Sequence, residues 1–179
     1  MHPLHPRIAV LPLVLATAAA FGCGSGASAD RTVDQGHWST AVCVANGRWL
    51  AAIKQPGNEL DGLALEFKYG LPKQSKSRAT ELRDLAALSD STRQLRDDYA
   101  SAGIPQAANG ARLKREMLDS VDEIDASLAT LTTRAQALPQ GDGRAQQSAL
   151  LTPDIESAFQ HMSTRLRGAW KRDAPWFHC

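Results

Sequence analysis

Few residues in this chain have side chains that could do chemistry. They are Cys23, Cys43 and Cys179, the histidines His37, His161 and His178 beyond residue 22, and the carboxylates Glu116, Asp119, Asp122, Glu123 and Asp125. A zinc site gathers three or four Cys, His or carboxylate ligands, often at spacings such as H-E-x-x-H or C-x-x-C. Neither spacing occurs here. If Cys43 and Cys179 were joined, His178 would come near His37, and those two are the only metal candidates. The simpler reading is a pair of solvated histidines, with no metal and no cofactor. His161-Met162, with Met117 elsewhere, suggests a haem-binding bundle only until the missing C-x-x-C-H attachment motif is noticed. The carboxylate run lacks the alternating acids and central glycine of a calcium loop and the Glu-x-x-His pair of di-iron bundles. Asp119 and Glu123, four apart, repel mildly, which suits a solvated face. That face is expected to oppose the bases Arg165, Arg167, Lys171 and Arg172. Gly24-Ser25-Gly26 lacks the G-x-S-x-G pattern of a nucleophile elbow. No nucleophile, base and orienter stand out, so no catalytic residue is assigned and the chain is not read as an enzyme.

Cys23 has a different chemistry. The run Ile8–Phe21 is fourteen uncharged, mostly apolar residues behind Arg7. A spanning helix needs about 20 apolar residues, so this run reads as the core of a signal peptide. Ala20-Phe21-Gly22-Cys23 resembles the lipobox of bacterial lipoproteins, with Gly22 and Cys23 in place, Ala20 where Leu is usual and Phe21 where a smaller residue is usual. The resemblance implies cleavage before Cys23 and acylation of that residue with chains of the palmitate kind. Gly24–Ser28 would then be a flexible tether. A second site competes: Ala27-Ser28-Ala29 is an A-x-A pattern before Asp30, and cutting there would release a soluble protein.

The elements that must position the remaining residues are helical. Trp38, Val42, Ala45, Trp49 and Ile53 recur at threes and fours. They predict a first helix from Trp38 or Ser39 to Gln55, capped by Ser39 or Thr40 and stopped by Pro56-Gly57. Leu60, Leu63, Ala64 and Phe67 predict a short extra helix behind Asn58. Leu82, Leu85, Leu88, Thr92, Leu95 and Tyr99 predict a helix over 78–102, ended by Gly103 and Pro105. Leu113, Met117, Val121, Ile124, Leu128, Leu131, Ala135 and Leu138 form a near-heptad seam that predicts the longest helix, from Gln106 or Ala111 to Leu138. Ile155, Phe159, Met162 and Leu166 predict a last helix over 153–171, with Thr152 as cap and Pro153 in its first turn. No strand and no fixed-period repeat stand out. The expected fold is all-α, an antiparallel four-helix bundle with room for one extra short helix, behind a leader.

Export into an oxidising compartment favours a Cys43–Cys179 disulfide. Two unpaired thiols are the alternative. All four tryptophans, Trp38, Trp49, Trp170 and Trp176, lie in the first helix or near the C-terminus, so those segments are expected to pack together. This layout resembles the small helical secreted proteins and lipoproteins of actinomycete-type bacteria: an export leader with a Gly-Cys junction, a cysteine in the first helix, a Gly-Ile-Pro break, a long Ala/Leu/Asp-rich helix and a closing cysteine. That resemblance implies an address and a fold and no chemistry.

Charge narrows the function further. The chain carries 20 Lys and Arg against 19 Asp and Glu, and Arg7 is the one charged residue of 1–22, so the body from Cys23 onward is formally neutral. A neutral body has no surplus of cations for general phosphate-backbone binding, and no nucleic-acid partner is expected. The expected organisation is a signal peptide over 1–22, a lipidated Cys23 and tether over 23–37, and a helical domain over 38–179. The expected role is non-catalytic: a protein held at the outer side of the cell membrane by its lipid, contacting a protein or surface component. The alternative is a soluble secreted bundle that binds a small ligand or metal between helices.

Overall fold

The computed structural model of the protein describes residues 31–69, 78–138 and 152–179. Cys23, the leader and the tether lie outside the described residues. So do the loop glycines after Leu138, and of the side chains of Leu63, Ala64, Phe67 and Thr152 nothing is said.

Six elements follow in order: strand β1 (Thr32–Val33), helix α1 (Gln35–Tyr69), helix α2 (Arg78–Ser101), strand β2 (Ile104–Pro105), helix α3 (Gly110–Ala137) and helix α4 (Thr152–Asp173). The fold is all-α in class, a bundle of four helices with two strands of two residues each. The apolar stripes face inward as their spacing requires. Trp38, Val42, Ala45 and Trp49 of α1, Leu85, Leu88, Leu95 and Tyr99 of α2, the α3 seam from Leu113 to Ala135, and Ile155, Met162 and Leu166 of α4 form one buried cluster. Ile53, Leu82, Leu138 and Phe159 pack partly buried against it.

Neighbouring helices run antiparallel, and the cross-links show it. Between α1 and α2, Arg48 pairs with Asp98 and Arg83 with Glu59. Between α2 and α3, Ser89 donates to Asp125 and Arg96 to Asp122. Between α3 and α4, Arg172 pairs with Glu116 and Arg134 with Asp154. In each pair of helices the partner number falls as the other rises.

The first helix departs from its expected bounds at both ends. It starts at Gln35, because Asp34 is its cap. The Asp34 Oδ1 accepts the His37 N–H at 3.0 Å, and the Asp34 carbonyl accepts the Trp38 N–H at 3.0 Å. A carboxylate at this position satisfies an orphan donor and suits the positive helix end. Thr40, an expected cap, instead bonds back to the Gly36 carbonyl at 3.0 Å. Nor does the helix stop at Pro56-Gly57. It runs through Pro56 to Tyr69 and absorbs the short helix expected behind Asn58. A proline inside a helix costs about 3 kcal/mol. Contacts on its C-terminal side offset that cost: Leu60 is buried, and Glu59 accepts from Gln55 at 3.1 Å and from Arg83 of α2 at 3.4 Å. Sequence punctuation was outweighed by tertiary packing.

The strands were not anticipated. β1 and β2 pair in parallel, Thr32 beside Ile104 and Val33 beside Pro105. The Ile104 N–H meets the Arg31 carbonyl at 2.9 Å, and the Gln106 N–H meets the Val33 carbonyl at 2.8 Å. Two residues are too short to show a period. Gly103, at φ 81°, ends α2 in the left-handed conformation that was expected of it. Lys114 is buried at the start of α3, where its Nζ donates to the Ala100 carbonyl at 2.8 Å and so serves the end of α2.

Candidate functional site

Two of the three cysteines lie among the described residues. Cys43 and Cys179 are joined, with sulfurs 2.09 Å apart and Cα atoms 5.4 Å apart. Cys23 lies outside the described residues. The bridge pins a strap, Ala174–Cys179, across the outer end of α1. Under it, Trp38 meets Trp176 at 5.8 Å and Phe177 at 5.4 Å, both edge to face, and Trp170 meets Phe177 at 4.9 Å. Trp38, exposed by only 1%, is the most enclosed of these rings. Such pairs add about 0.5–1.5 kcal/mol each to the burial itself. The expected neighbourhood of the tryptophans therefore holds for Trp38, Trp170 and Trp176. Trp49 sits further along, against Phe159 of α4 at 5.7 Å.

The histidines do not assemble a ligand set. The His37 ring pairs with Asp34 at the exposed start of α1. His37 also holds the Asp34 carboxyl below its ordinary pKa, first through its backbone N–H and then through its ring. His178 is exposed; its carbonyl, not its ring, lies 3.6 Å from the Cys43 sulfur. His161 is exposed on α4 beside the buried Met162. Among the described residues no three His, Cys, Asp or Glu side chains converge as a metal cage.

Four of the five carboxylates of α3 enter cross-links, and Asp119 stands exposed without one. Glu116 takes Arg172 and Glu123 takes Arg165, both from α4, as the facing charges led us to expect. Asp122 turns the other way, to Arg96 of α2 at 2.6 Å, and Asp125 accepts from Ser89 at 2.6 Å. Arg167 bonds within its own helix, to Ser163 at 2.9 Å. The tightest knot is Asp173, whose side chain is fully enclosed and held by Arg112 and Arg172. Those two guanidiniums, Arg112 first, hold its carboxyl below the usual carboxylate range against the opposing effect of burial. Most described hydroxyls are spent as well. Ser120, Ser127, Thr130, Thr132 and Thr133 bond back to their own helix. The Tyr99 hydroxyl donates to Asn46 at 2.5 Å, and burial pushes its phenol well above its ordinary pKa.

Two buried acids were missed from the sequence. Glu81 and Asp84 fall on the inward stripe of α2, each exposed by 3%. Asp84 Oδ1 accepts from Arg83 at 3.0 Å, while Oδ2 is buried without a hydrogen-bond partner. Neither acid stood out in the sequence. Their spacing to Leu85 and Leu88 was the available signal.

What remains is a surface on α1. Thr40, Ala41, Val44, Gly47, Leu50 and Ala51 are exposed on the side away from the core. Val44 at 54% and Leu50 at 58% are the large exposed apolar side chains of the described residues. They flank Gly47 by three residues on either side, so about 60° to each side of it around the helix. A Cβ at Gly47 would meet nothing within 4 Å, so nothing within the chain requires a glycine there. At the edge of this face a shallow groove of about 260 Å³ opens between α1 and α2. Trp49, Ala45 and Leu95 line its apolar part, and Arg48, Asp90, Gln94 and Asp98 its polar part. Arg48 and Asp98 pair across it at 2.8 Å, and the Trp49 indole N–H reaches Thr92 at 3.5 Å. The arrangement offers apolar contact with a polar rim, suited to binding.

Comparison of the chain with protein-family models, curated proteins and solved structures finds no match. Among the described residues no helix is long and apolar enough to cross a membrane.

Proposed function

We propose that the protein is a cell-envelope lipoprotein of the small helical type resembling those of actinomycete-type bacteria. Residues 1–22 export it, Cys23 is acylated and becomes the N-terminus, and the bundle is displayed outside the cytoplasm. The observation that carries this reading is the cysteine count. Cys43 and Cys179 are joined to each other, which leaves Cys23 as the odd thiol directly after Gly22 and an apolar run of fourteen residues. Acylation gives that cysteine a role, and cleavage after Ala29 gives it none. The body acts without catalysis. It contacts a protein or surface component through the outer face of α1, where Val44 and Leu50 stand exposed on either side of Gly47.

The deciding measurement is the intact mass and N-terminal residue of the mature protein recovered from its native membrane fraction. A chain beginning at diacylated Cys23 is expected. A chain beginning at Asp30 overturns the anchor. The groove between α1 and α2 favours a second reading, a secreted bundle that binds a small ligand. An Asp30 start together with a ligand-dependent rise in melting temperature, lost in Trp49→Ala, would establish it in place of the first.

A further inference from the structure

The outer face of α1 is arranged evenly about Gly47. Val44 and Leu50 stand three positions to either side of it, Cys43 and Ala51 four, and Thr40 and Lys54 seven. All of these lie within about 60° of Gly47 around the helix. Val44 and Leu50 are more than half exposed, and a Cβ at Gly47 would meet nothing within 4 Å. The strap joined to Cys43 leaves the face open, since Gly36, Thr40 and Val44 around that cysteine are all exposed. From Gly36 to Asn58 the face carries a single charge, Lys54. Lys54 is exposed, and among the described residues no carboxylate lies within salt-bridge distance of it. Arg48 stands to one side and is taken by Asp98.

We propose that the occupant of this face is α1 of a second copy of the chain, crossing it antiparallel at Gly47. This names the partner of the contact face put forward above, and it rests on that reading. A two-fold axis at Gly47 sets the two glycines against each other, where the backbones can approach closely. It sets Val44 of each copy against Ala51 of the other, and Leu50 against Cys43. Charge selects this direction. Lys54, about 10 Å along the axis from the crossing, comes level with Thr40 of the second copy. The Asp34 carboxylate, which accepts the His37 N–H, lies about 5 Å further along that helix. The four-carbon stem of a lysine covers such a gap. The Asp34 side chain is 58% exposed beside His37, so it has room for a second cation. A parallel pair would instead set Lys54 against Lys54, which opposes association. Two helix faces bury less than a standard interface, so the dimer is a transient one.

The test is sedimentation equilibrium of the Cys23→Ser protein recovered after export, over roughly 0.01–1 mM chain. A monomer–dimer equilibrium is expected. Val44→Arg should weaken it by at least about ten-fold, since it sets a cation in the apolar contact. Lys54→Glu should weaken it by about five-fold, and by less as salt rises. Adding Asp34→Asn to Lys54→Glu should restore most of that loss, because asparagine still caps the helix but no longer repels. Asp119→Lys, exposed on α3, should change nothing. A parent that stays monomeric, a dimer indifferent to Val44→Arg, or a Lys54→Glu loss that Asp34→Asn does not relieve overturns the pairing. A photo-crosslinking amino acid in place of Leu50, in the full chain in its native cell, separates the two readings. An adduct of twice the chain mass supports the pairing. An adduct with a different protein overturns the pairing and keeps the contact face. No adduct sinks both.

Discussion

Gly103 shows how much one residue can carry. It turns the chain from α2 into β2 at φ 81°, where a side chain is strained. A Cβ there would also sit 2.6 Å from the Arg31 carbonyl, which already accepts the Ile104 N–H. Gly110 is as constrained, since a Cβ would run into the Pro105 carbonyl. Gly47 is the opposite case, with open space around it in a regular helix. Gly103→Ala is therefore expected to lower stability by more than about 1 kcal/mol, and Gly47→Ala to raise it by about 0.5–1 kcal/mol. Urea unfolding of both variants checks this. A stabilised Gly103→Ala protein would remove the steric account of the turn. The helix-ending role of Gly103 was legible in the sequence, because Gly-Ile-Pro is strong punctuation. Its contact with Arg31 was not, since the two are far apart in the chain.

Among the elements, the pairing of α3 with α4 is the most electrostatic. Arg112–Asp173, Arg172–Glu116, Arg165–Glu123 and Arg134–Asp154 run along the seam. Most of these groups are half exposed, and exposed pairs contribute only about 0–1 kcal/mol each. Asp173 differs because its carboxylate is enclosed. Its folded pKa is depressed, so the stability it contributes is fully present above the unfolded value near 3.9 and is lost as pH falls through the lower folded value. Asp34 acts in the same sense at the start of α1. The melting temperature should hold from neutral pH down to about pH 5 and fall below about pH 4. Asp173→Asn should start lower and fall less steeply over the same acid range. A variant that tracks the parent at every pH would show that Asp173 is not the titrating group. Facing charge runs on the last two helices were visible in the sequence; which acid meets which base was not. Asp122 illustrates the difference, for it sits among acids that face α4 yet pairs with α2.

At the scale of the whole molecule, one covalent link closes the chain. Cys43 and Cys179 are 136 positions apart. Loop entropy for so long a closure gives at most about 5 kcal/mol, a large share of a small domain's stability. Cys43→Ser should lower the melting temperature by roughly 10 °C or more, measured by calorimetry against the oxidised parent. Equal midpoints would show that the strap is held by Trp176 and Phe177 alone. The bundle itself should survive in the variant, because the seams of α1 with α2, α2 with α3 and α3 with α4 do not use the bridge.

By itself the sequence determined the helical class, the inward stripes, the strong helix stop at Gly103, and the pairing of two of three cysteines, because these follow from local periodicity, backbone chemistry and cysteine arithmetic. Only the tertiary structure decided that α1 continues through Pro56, that Thr32–Val33 clips onto the α2–α3 turn, and that Glu81, Asp84 and Lys114 are buried. Each of these depends on a partner distant in the chain. A proline's cost is local, whereas the contacts of Leu60 and Glu59 that offset it belong to the packed bundle. The same division holds for the residues of the proposal: Cys23 is conspicuous from its neighbours in sequence, and the exposed apolar face of α1 becomes visible only once the core has claimed the opposite side of the helix.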